Sequence, residues 1–404
     1  MLNDILIAHP GKHHVLHLVA GCVKAGLNVC YITPLYKKGI GSLLSFIPGN
    51  IGRKASGYYH SDIPLDKVMS SNYMQIKKII SFLSKSNFSI DFDQFVAKKI
   101  ASGEIKAKII VTLQDYMPKT VKVAKDNGIM IWSDQILNQS ADAISRINRH
   151  QSNEKQTALL EHNENNNTSI LLESDVVTVP SMYCLDGIRD VIKKSTKIFN
   201  VPYGVGLIEN NLNITPDDRE IIILARANSI RKGGHLLIDA IDFSFDKILN
   251  IIGDKQLTLV FLGDLDDCIS TKIKKMNNFN KINIQYGNVP HSIVSGLYNR
   301  ASIFVMPTLS EGRSLACLEA MSAGLPVIIS KFCGIDDFHS INMGIEVDDD
   351  VVSLSNALVK MFEMKDEWPF LGCNAKSFSQ DYSWDKYEKS IGYIAREIIQ
   401  NCGY

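Results

Sequence analysis

This chain has no charge of either sign in excess, no closely paired cysteines and no long apolar run, and each absence removes a class of function. Lys plus Arg and Asp plus Glu both total 43, so no global field draws the protein to nucleic acid. The eight cysteines are scattered, with no C-x-x-C. They read as reduced core residues, not as a disulfide framework or a zinc site. No apolar stretch reaches the about 18 residues that a membrane-spanning helix needs. No G-x-G-x-x-G opens a strand-to-helix turn, which argues against a dinucleotide-dependent dehydrogenase. The opening residues, MLNDILIAHPG, carry Asp4 and reach Pro10 after a short apolar run; they predict a first strand rather than a signal peptide. The expected location is the cytoplasm, or the cytoplasmic face of a membrane.

What the chain does have is 45% apolar residues and a regular alternation of short apolar runs with helical patterns. Its 404 residues exceed one ordinary core, so two domains are expected. The alternation predicts an α/β protein of parallel, doubly wound sheets. In the first half the strands read DILIAHP, NVCYITP, KIIVTL (Lys108 to Leu113), GIMIWSD (Gly128 to Asp134) and DVVTVP (Asp175 to Pro180), with a helix from His13 to Ala25 after the first. The polar run His162 to Thr168, HNENNNT, reads as a loop. A second series, EIIILA, LTLVFLG, INIQYG, SIFVMP and PVIIS, opens after VPYGVG (Val201 to Gly206). A first domain over residues 1–199 and a second over residues 200–382 follow from this. SWDKYEKSIGYIAREIIQ, within residues 383–404, closes the chain as an amphipathic helix capped by Ser383.

The most informative segment is VMPTLSEGRSLACLEAMSAGLPVIIS, Val305 to Ser330. Ile303 to Pro307 is a continuous apolar run closed by proline, as in a strand buried on both faces. Leu315 to Met321 is rich in helix formers, and Gly324 stops it. Glu311 then falls in the loop at the carboxyl end of a parallel strand, where open α/β sheets bind ligands. Glu319 lies in the helix that follows. Free amides of the first helical turn, around Ser314, Leu315 and Ala316, offer a phosphate site. Two carboxylates for hydroxyls and an anion-binding helix start describe a pocket for a nucleotide-sugar.

Written as E-G-x-x-L-x-x-L-E-A-M-x-x-G-x-P-V-I, this segment resembles the signature of glycosyltransferase family 4, a retaining family of GT-B fold. The resemblance implies two Rossmann-like doubly wound parallel-sheet domains facing across a cleft, with the closing helix packed back on the first. It covers the second domain almost throughout and the first more weakly. IIILARANSIRKGGHLLIDA matches the family's strand-R-x5-K-G-helix pattern, which implies that Arg226 and Lys232 stabilise the departing diphosphate. LTLVFLGDLDD puts Gly263 on the nucleotide side, and the G-x-V-P stretch puts Val289 against the base. Glu311 would bond sugar hydroxyls and Glu319 the ribose diol. Arg313, Ser314 and Ala316 replace the aromatic, Gly and Pro that the family often has. Arg313 reads either as a cation beside the sugar or as a solvated loop residue. Asp264 with Asp266, and Asp348 to Asp350, formally fit a D-x-D metal motif but read as solvated. The resemblance implies no metal at the diphosphate, and no cofactor beside the nucleotide diphosphate-sugar donor.

In the first domain HPGKHH forms the turn after the first strand, where Gly11 lets the backbone approach a ligand. The resemblance places this turn beside the donor diphosphate and the acceptor, with His14 on the acceptor side. His13 and His17 share a helix face that zinc would accept, but no glutamate or cysteine stands near them. The family's mid-domain histidine is absent at its usual strand end. Asp115, after KIIVTL, and Asp134, after GIMIW, are the candidates to accept the acceptor's proton, each equally readable as a helix N-cap. Between Tyr36 and Lys54 an apolar centre is bracketed by Lys37, Lys38, Arg53 and Lys54, and from Cys30 to Ile110 Lys and Arg outnumber Asp and Glu by 12 to 5. The stretch reads as a contact for the acceptor or for an anionic membrane surface, or as a loop with its apolar residues folded in.

The expected activity is that of a retaining hexosyltransferase. Its acceptor would be a glycan or lipid-linked glycan in bacterial surface polysaccharide assembly. A sucrose-synthase- or phosphorylase-like enzyme with a small acceptor, and a catalytically silent GT-B partner protein, remain as alternatives.

Overall fold

The computed structural model describes residues 2–11, 14–36, 59–84, 88–151, 153–206, 208, 219–288 and 291–401. Two sheets, both wholly parallel, organise them. The first holds β1 (Leu2–Ala8), β2 (Val29–Ile32), β3 (Val68–Met69), β4 (Lys106–Leu113), β5 (Met130–Asp134), β6 (Val176–Val179) and β7 (Lys197–Asn200), in the order β3-β2-β1-β4-β5-β6-β7. The second holds β8 (Glu220–Ala225), β9 (Gln256–Leu262), β10 (Asn283–Gly287), β11 (Ile303–Met306), β12 (Val327–Ser330) and β13 (Gly344–Val347), in the order β10-β9-β8-β11-β12-β13. Helices cover both faces of each sheet. Ile5, Leu6, Ile7, Ile223, Leu224 and Phe304 are consequently buried, and the strands read as continuous apolar runs for that reason.

The strand order reverses between β1 and β4 in one sheet and between β8 and β11 in the other. Such reversals open a crevice at the carboxyl ends of the strands. Here both crevices face one cleft, the two-domain GT-B arrangement that the resemblance implies.

Five helices carry the remaining argument: α1 (Val15–Lys24), α2 (Glu154–Glu173), α3 (Gly234–Ile252), α4 (Leu315–Ser322) and α5 (Trp384–Asn401). The sequence pattern of α5 puts Tyr387, Ile391, Ile394 and Ala395 on one stripe. That stripe is buried in the first domain's core together with Val15, Val19 and Ile7. The Oγ of Ser383 accepts from the amide of Lys386 at 3.2 Å, capping the helix start.

The expected loop at His162–Thr168 is instead the middle of α2. Asn153 caps that helix by accepting from the amides of Lys155 and Gln156. Asn167 is buried and exchanges two side-chain hydrogen bonds with Gln135, at 3.0 and 3.1 Å. The helix is held by a polar tertiary contact rather than an apolar stripe, so periodicity gave no signal, and packing overrode weak propensity.

The domains also touch directly beside the cleft. Ser310 Oγ donates to the carbonyl of Asn138 at 2.6 Å, and Ser181 Oγ donates to that of Gly312 at 2.5 Å. Arg146, from the first domain, donates to the carbonyl of Leu309 at 3.1 Å and lays its guanidinium 3.6 Å over the ring of Phe332. A Cβ at Gly312 would stand 2.1 Å from the carbonyl oxygen of Ile136. Only glycine lets the two backbones come this close. No helix among the described residues is long and apolar enough to cross a membrane.

Candidate active site

The loops after β1, β4, β8 and β11 enclose a cavity of about 890 Å³. From the second domain its wall includes Arg226, Arg231, Lys232, Glu311, Arg313 and the start of α4. Glu311 is the centre of this half. Its side chain is 15% exposed, and Oε1 accepts from Arg231 Nη1 and from Lys232 Nζ, both at 2.9 Å. Burial pushes this carboxyl up, but the charges of Arg231 and Lys232 more than offset that and hold it at about 2. The pocket therefore contains an ionised carboxylate balanced by two cations.

Arg226 donates to the carbonyl of Leu262 and remains in the cavity wall. Gly263 makes room for it: at φ +104° a Cβ there would lie 2.5 Å from the Arg226 guanidinium. Sequence reasoning missed Arg231, which is one of the five unspecified positions between Arg226 and Lys232. The only signal was a second cation adjoining Lys232 ahead of the Gly-Gly that starts α3.

Ser314 caps α4, its Oγ accepting from the amide of Cys317 at 3.3 Å, while its own amide donates to Cys333. The first amides left over by helix geometry are those of Leu315 and Ala316, and both residues line the cavity. Arg313 also lines it, yet it is only 3% exposed, which removes the solvated reading. Its guanidinium lies 4.1 Å over the ring of Tyr382 and reaches Asp336 and the carbonyl of Gly334, both at 3.4 Å. Glu319 accepts from the hydroxyl of Tyr298 at 2.9 Å. Glu319, Gly263 and Gly11 do not line this cavity. Val289, His13, Lys37, Lys38, Arg53 and Lys54 lie outside the described residues. Asp264 and Asp266 are exposed; Asp264 accepts from Asn288. Asp348 pairs with Lys331 and Asp349 with Arg149, and Asp350 caps the following helix.

On the first-domain side the structure separates the two aspartates. Asp134 does not reach an acceptor in the cavity: it is buried, it is not part of the lining, and both oxygens are hydrogen-bonded. One is 2.5 Å from His14 Nε2, and the other accepts from Thr178 Oγ1 at 2.5 Å. Asp134 orients His14, which lines the cavity with its ring 4.3 Å from that of Tyr203. An imidazole thus reaches the cavity from the start of α1, anchored by the aspartate at the end of β5. Asp115 faces the cavity itself. It is not a helix cap, since Met117 holds that position. Burial pushes its carboxyl up to about 6, against hydrogen bonds from its own backbone and from Gln139. Gln114 beside it has φ 44°, a strained value for a non-glycine residue. Its side chain holds the turn by bonds to Leu137 and Ile136 at 2.8 and 3.0 Å.

Residues 208–362 match the family model described as Glycosyl transferases group 1. The match lies almost wholly within the second domain and makes it similar to the group 1 glycosyltransferases. Arg226, Arg231, Lys232, Glu311 and Glu319 all fall inside it; His14, Asp115 and Asp134 do not. The chain is 27% identical over 173 residues to an uncharacterized glycosyltransferase of Methanocaldococcus jannaschii, covering 42% of this chain and 45% of that protein. It spans about half the length of the curated relatives it matches. Over nearly its whole length it is similar in fold to sucrose-phosphate synthase of Thermosynechococcus elongatus, with TM-score 0.63, 18% identity, and coverage of 99% of this chain and 100% of that one. A second likeness is to WaaG, a glycosyltransferase involved in lipopolysaccharide biosynthesis, with TM-score 0.61, 13% identity, and coverage of 97% and 99%. At these identities the likeness shows the fold alone, two Rossmann-like domains facing across a cleft.

Proposed function

We propose that this protein is a retaining glycosyltransferase that moves a hexose-type sugar from a nucleotide diphosphate donor to an acceptor hydroxyl. The observation that carries the reading is the carboxylate of Glu311 held between Arg231 and Lys232, facing His14 and Asp115 across one cavity. The donor diphosphate would rest on the amides of Leu315 and Ala316 and draw on Arg226 and Lys232. As the bond from the anomeric carbon to the phosphate oxygen breaks, charge grows where these donors point. The acceptor oxygen would bond to that carbon from the same face and give its proton to Asp115. Glu311 would hold the sugar hydroxyls, and Glu319 the ribose.

A thermal-shift screen against UDP-, GDP-, ADP- and dTDP-sugars tests the reading. A ligand at 100 times its Kd adds about 2.7 kcal/mol. A flat screen with no donor hydrolysis would leave a silent partner protein as the better account.

If Asp115 is the base, kcat/KM should rise with pH through about 6 and level off, because the ionised form accepts the proton. Asp115→Asn should erase that limb and lower the plateau about 10²-fold. A variant that keeps the wild-type profile would remove Asp115 from the reaction.

The acceptor is proposed to be a glycan or lipid-linked glycan of bacterial surface polysaccharide assembly, met at the cytoplasmic membrane face. The basic content of the Tyr36–Lys54 stretch supports this. Each basic residue near an anionic leaflet contributes about 1 kcal/mol. Co-sedimentation with anionic liposomes should fall when Lys37, Lys38, Arg53 and Lys54 are changed to Gln. Equal pelleting of variant and wild type would remove the membrane from the proposal.

A further inference from the structure

On the first-domain wall of the same cavity, three side chains from distant segments converge. His17 comes from α1, His60 from the segment ahead of β3, and Glu388 from α5. One ligand atom of each lies within 4.8 Å of the other two. Glu388 Oε1 is 2.7 Å from His17 Nδ1 and 3.5 Å from His60 Nε2. Its other oxygen, Oε2, is held by Lys24 Nζ at 2.5 Å, and Lys24 also pairs with Asp62 at 2.8 Å. The indole of Trp384 stacks on the His17 ring at 3.9 Å and 4°. Glu388 is almost wholly buried, while both imidazoles reach the cavity.

We propose that His17, His60 and Glu388 form a binding site for a divalent transition ion, zinc in the first place. Two imidazole nitrogens with one carboxylate oxygen are a zinc donor set, and bond lengths of about 2.0–2.1 Å set neighbouring ligand atoms about 3.3 Å apart. The two separations at Glu388 Oε1 bracket that spacing. Imidazole nitrogens do not suit magnesium or calcium, which take oxygen. Lys24 fixes the carboxylate through its far oxygen, and Trp384 fixes the plane of His17. Partners of this kind orient the ligands of metal sites. With three protein ligands the fourth position opens to the cavity, for water or for an oxygen of the bound molecule. Such an ion would tie α5 to α1 and to the residues that follow the basic stretch. His17 reads in sequence as a zinc ligand without a carboxylate near it, because its partner Glu388 stands 371 positions away. The inference does not depend on the proposed donor.

The competing account is a plain ionic cluster of the same side chains with Lys24 and Asp62. Full-length protein, stripped with a chelator and desalted, should be titrated with zinc against a chromophoric chelator, and separately with cobalt. One equivalent of zinc should bind, and cobalt should show the intense visible bands of a four-coordinate site. His17→Gln and His60→Gln should each weaken zinc binding at least tenfold, with metal-free thermal melting showing that both variants fold. His60, at the cavity rim, is the variant to rely on if His17→Gln melts early. A Cys268→Ser/Cys373→Ser variant, which lacks two exposed thiols, should bind as the wild type does. Absence of a stoichiometric site, histidine variants that bind as the wild type does, or loss of the site with the cysteines would each overturn the proposal.

Discussion

Replacing Glu311 by glutamine should lower kcat/KM for sugar transfer about 10²-fold or more, while nucleoside diphosphate binds as tightly as before or more tightly. The amide keeps the shape of the carboxylate but gives up its charge and half of its acceptor capacity. Bonds to sugar hydroxyls that strengthen as the anomeric carbon becomes positive are then lost. Arg231 and Lys232, both bonded to Oε1, lose their anion at the same time. The donor diphosphate becomes the group that neutralises them. Steady-state kinetics with a confirmed donor, and calorimetry with the bare nucleoside diphosphate, read the two effects separately. Wild-type turnover in the variant would end the assignment of Glu311 to the sugar. The same carboxyl titrates near 2 rather than at its ordinary 4.5, so its ionised form stabilises the fold above pH 4.5. That contribution fades as the pH falls toward 2, and acid unfolding of Glu311→Gln should lack it.

The second large effect is expected when the cations are removed. Arg231→Ala with Lys232→Ala should weaken nucleoside diphosphate binding by about tenfold or more, the value of one or two charge-assisted bonds. The fold should also lose about 1–3 kcal/mol. The lower end of the buried-pair range applies because Arg231 is 31% and Lys232 18% exposed. The loss arises because Glu311 would stay in place without a counter-charge. Adding Glu311→Gln to the double variant should therefore return most of the stability without returning the affinity. A double-mutant cycle by chemical denaturation decides this. If stability does not recover, the two cations act on the fold by some route other than the carboxylate.

Much of the donor side was legible because it is local. A strand ending, a polar loop and a helix start follow one another within a dozen residues, so Glu311, Ser314 and Leu315 could be placed from pattern alone. Arg231 was hidden inside a spacing that names only its two ends. The first-domain chemistry could not be read in this way. His14 and Asp134 meet across 120 positions, and no periodicity marks such a pair. Asp134 looked like a base because it ends a strand; its two hydrogen bonds, invisible in sequence, make it the support of His14 instead. Arg313 read equally as a cation beside the sugar and as a solvated loop residue, since nothing local announces Tyr382 beneath its guanidinium. The asparagine-rich run failed in the opposite sense: its composition says loop, and a buried exchange with Gln135 makes it helix.

The loop that carries Glu311 is fastened to the first domain on both sides of it. Ser310 bonds to Asn138, Gly312 accepts from Ser181, and the carbonyl of Glu311 accepts from the amide of Asn138 at 3.4 Å. Any rotation that parts the domains must break these bonds or pull the loop out of register with Arg231 and Lys232. The donor pocket and the seal between the domains are thus the same few residues. If the loop follows the first domain, an open cleft draws Glu311 away from Arg231 and Lys232; if the bonds break instead, the carboxylate stays with its cations and only the seal is lost.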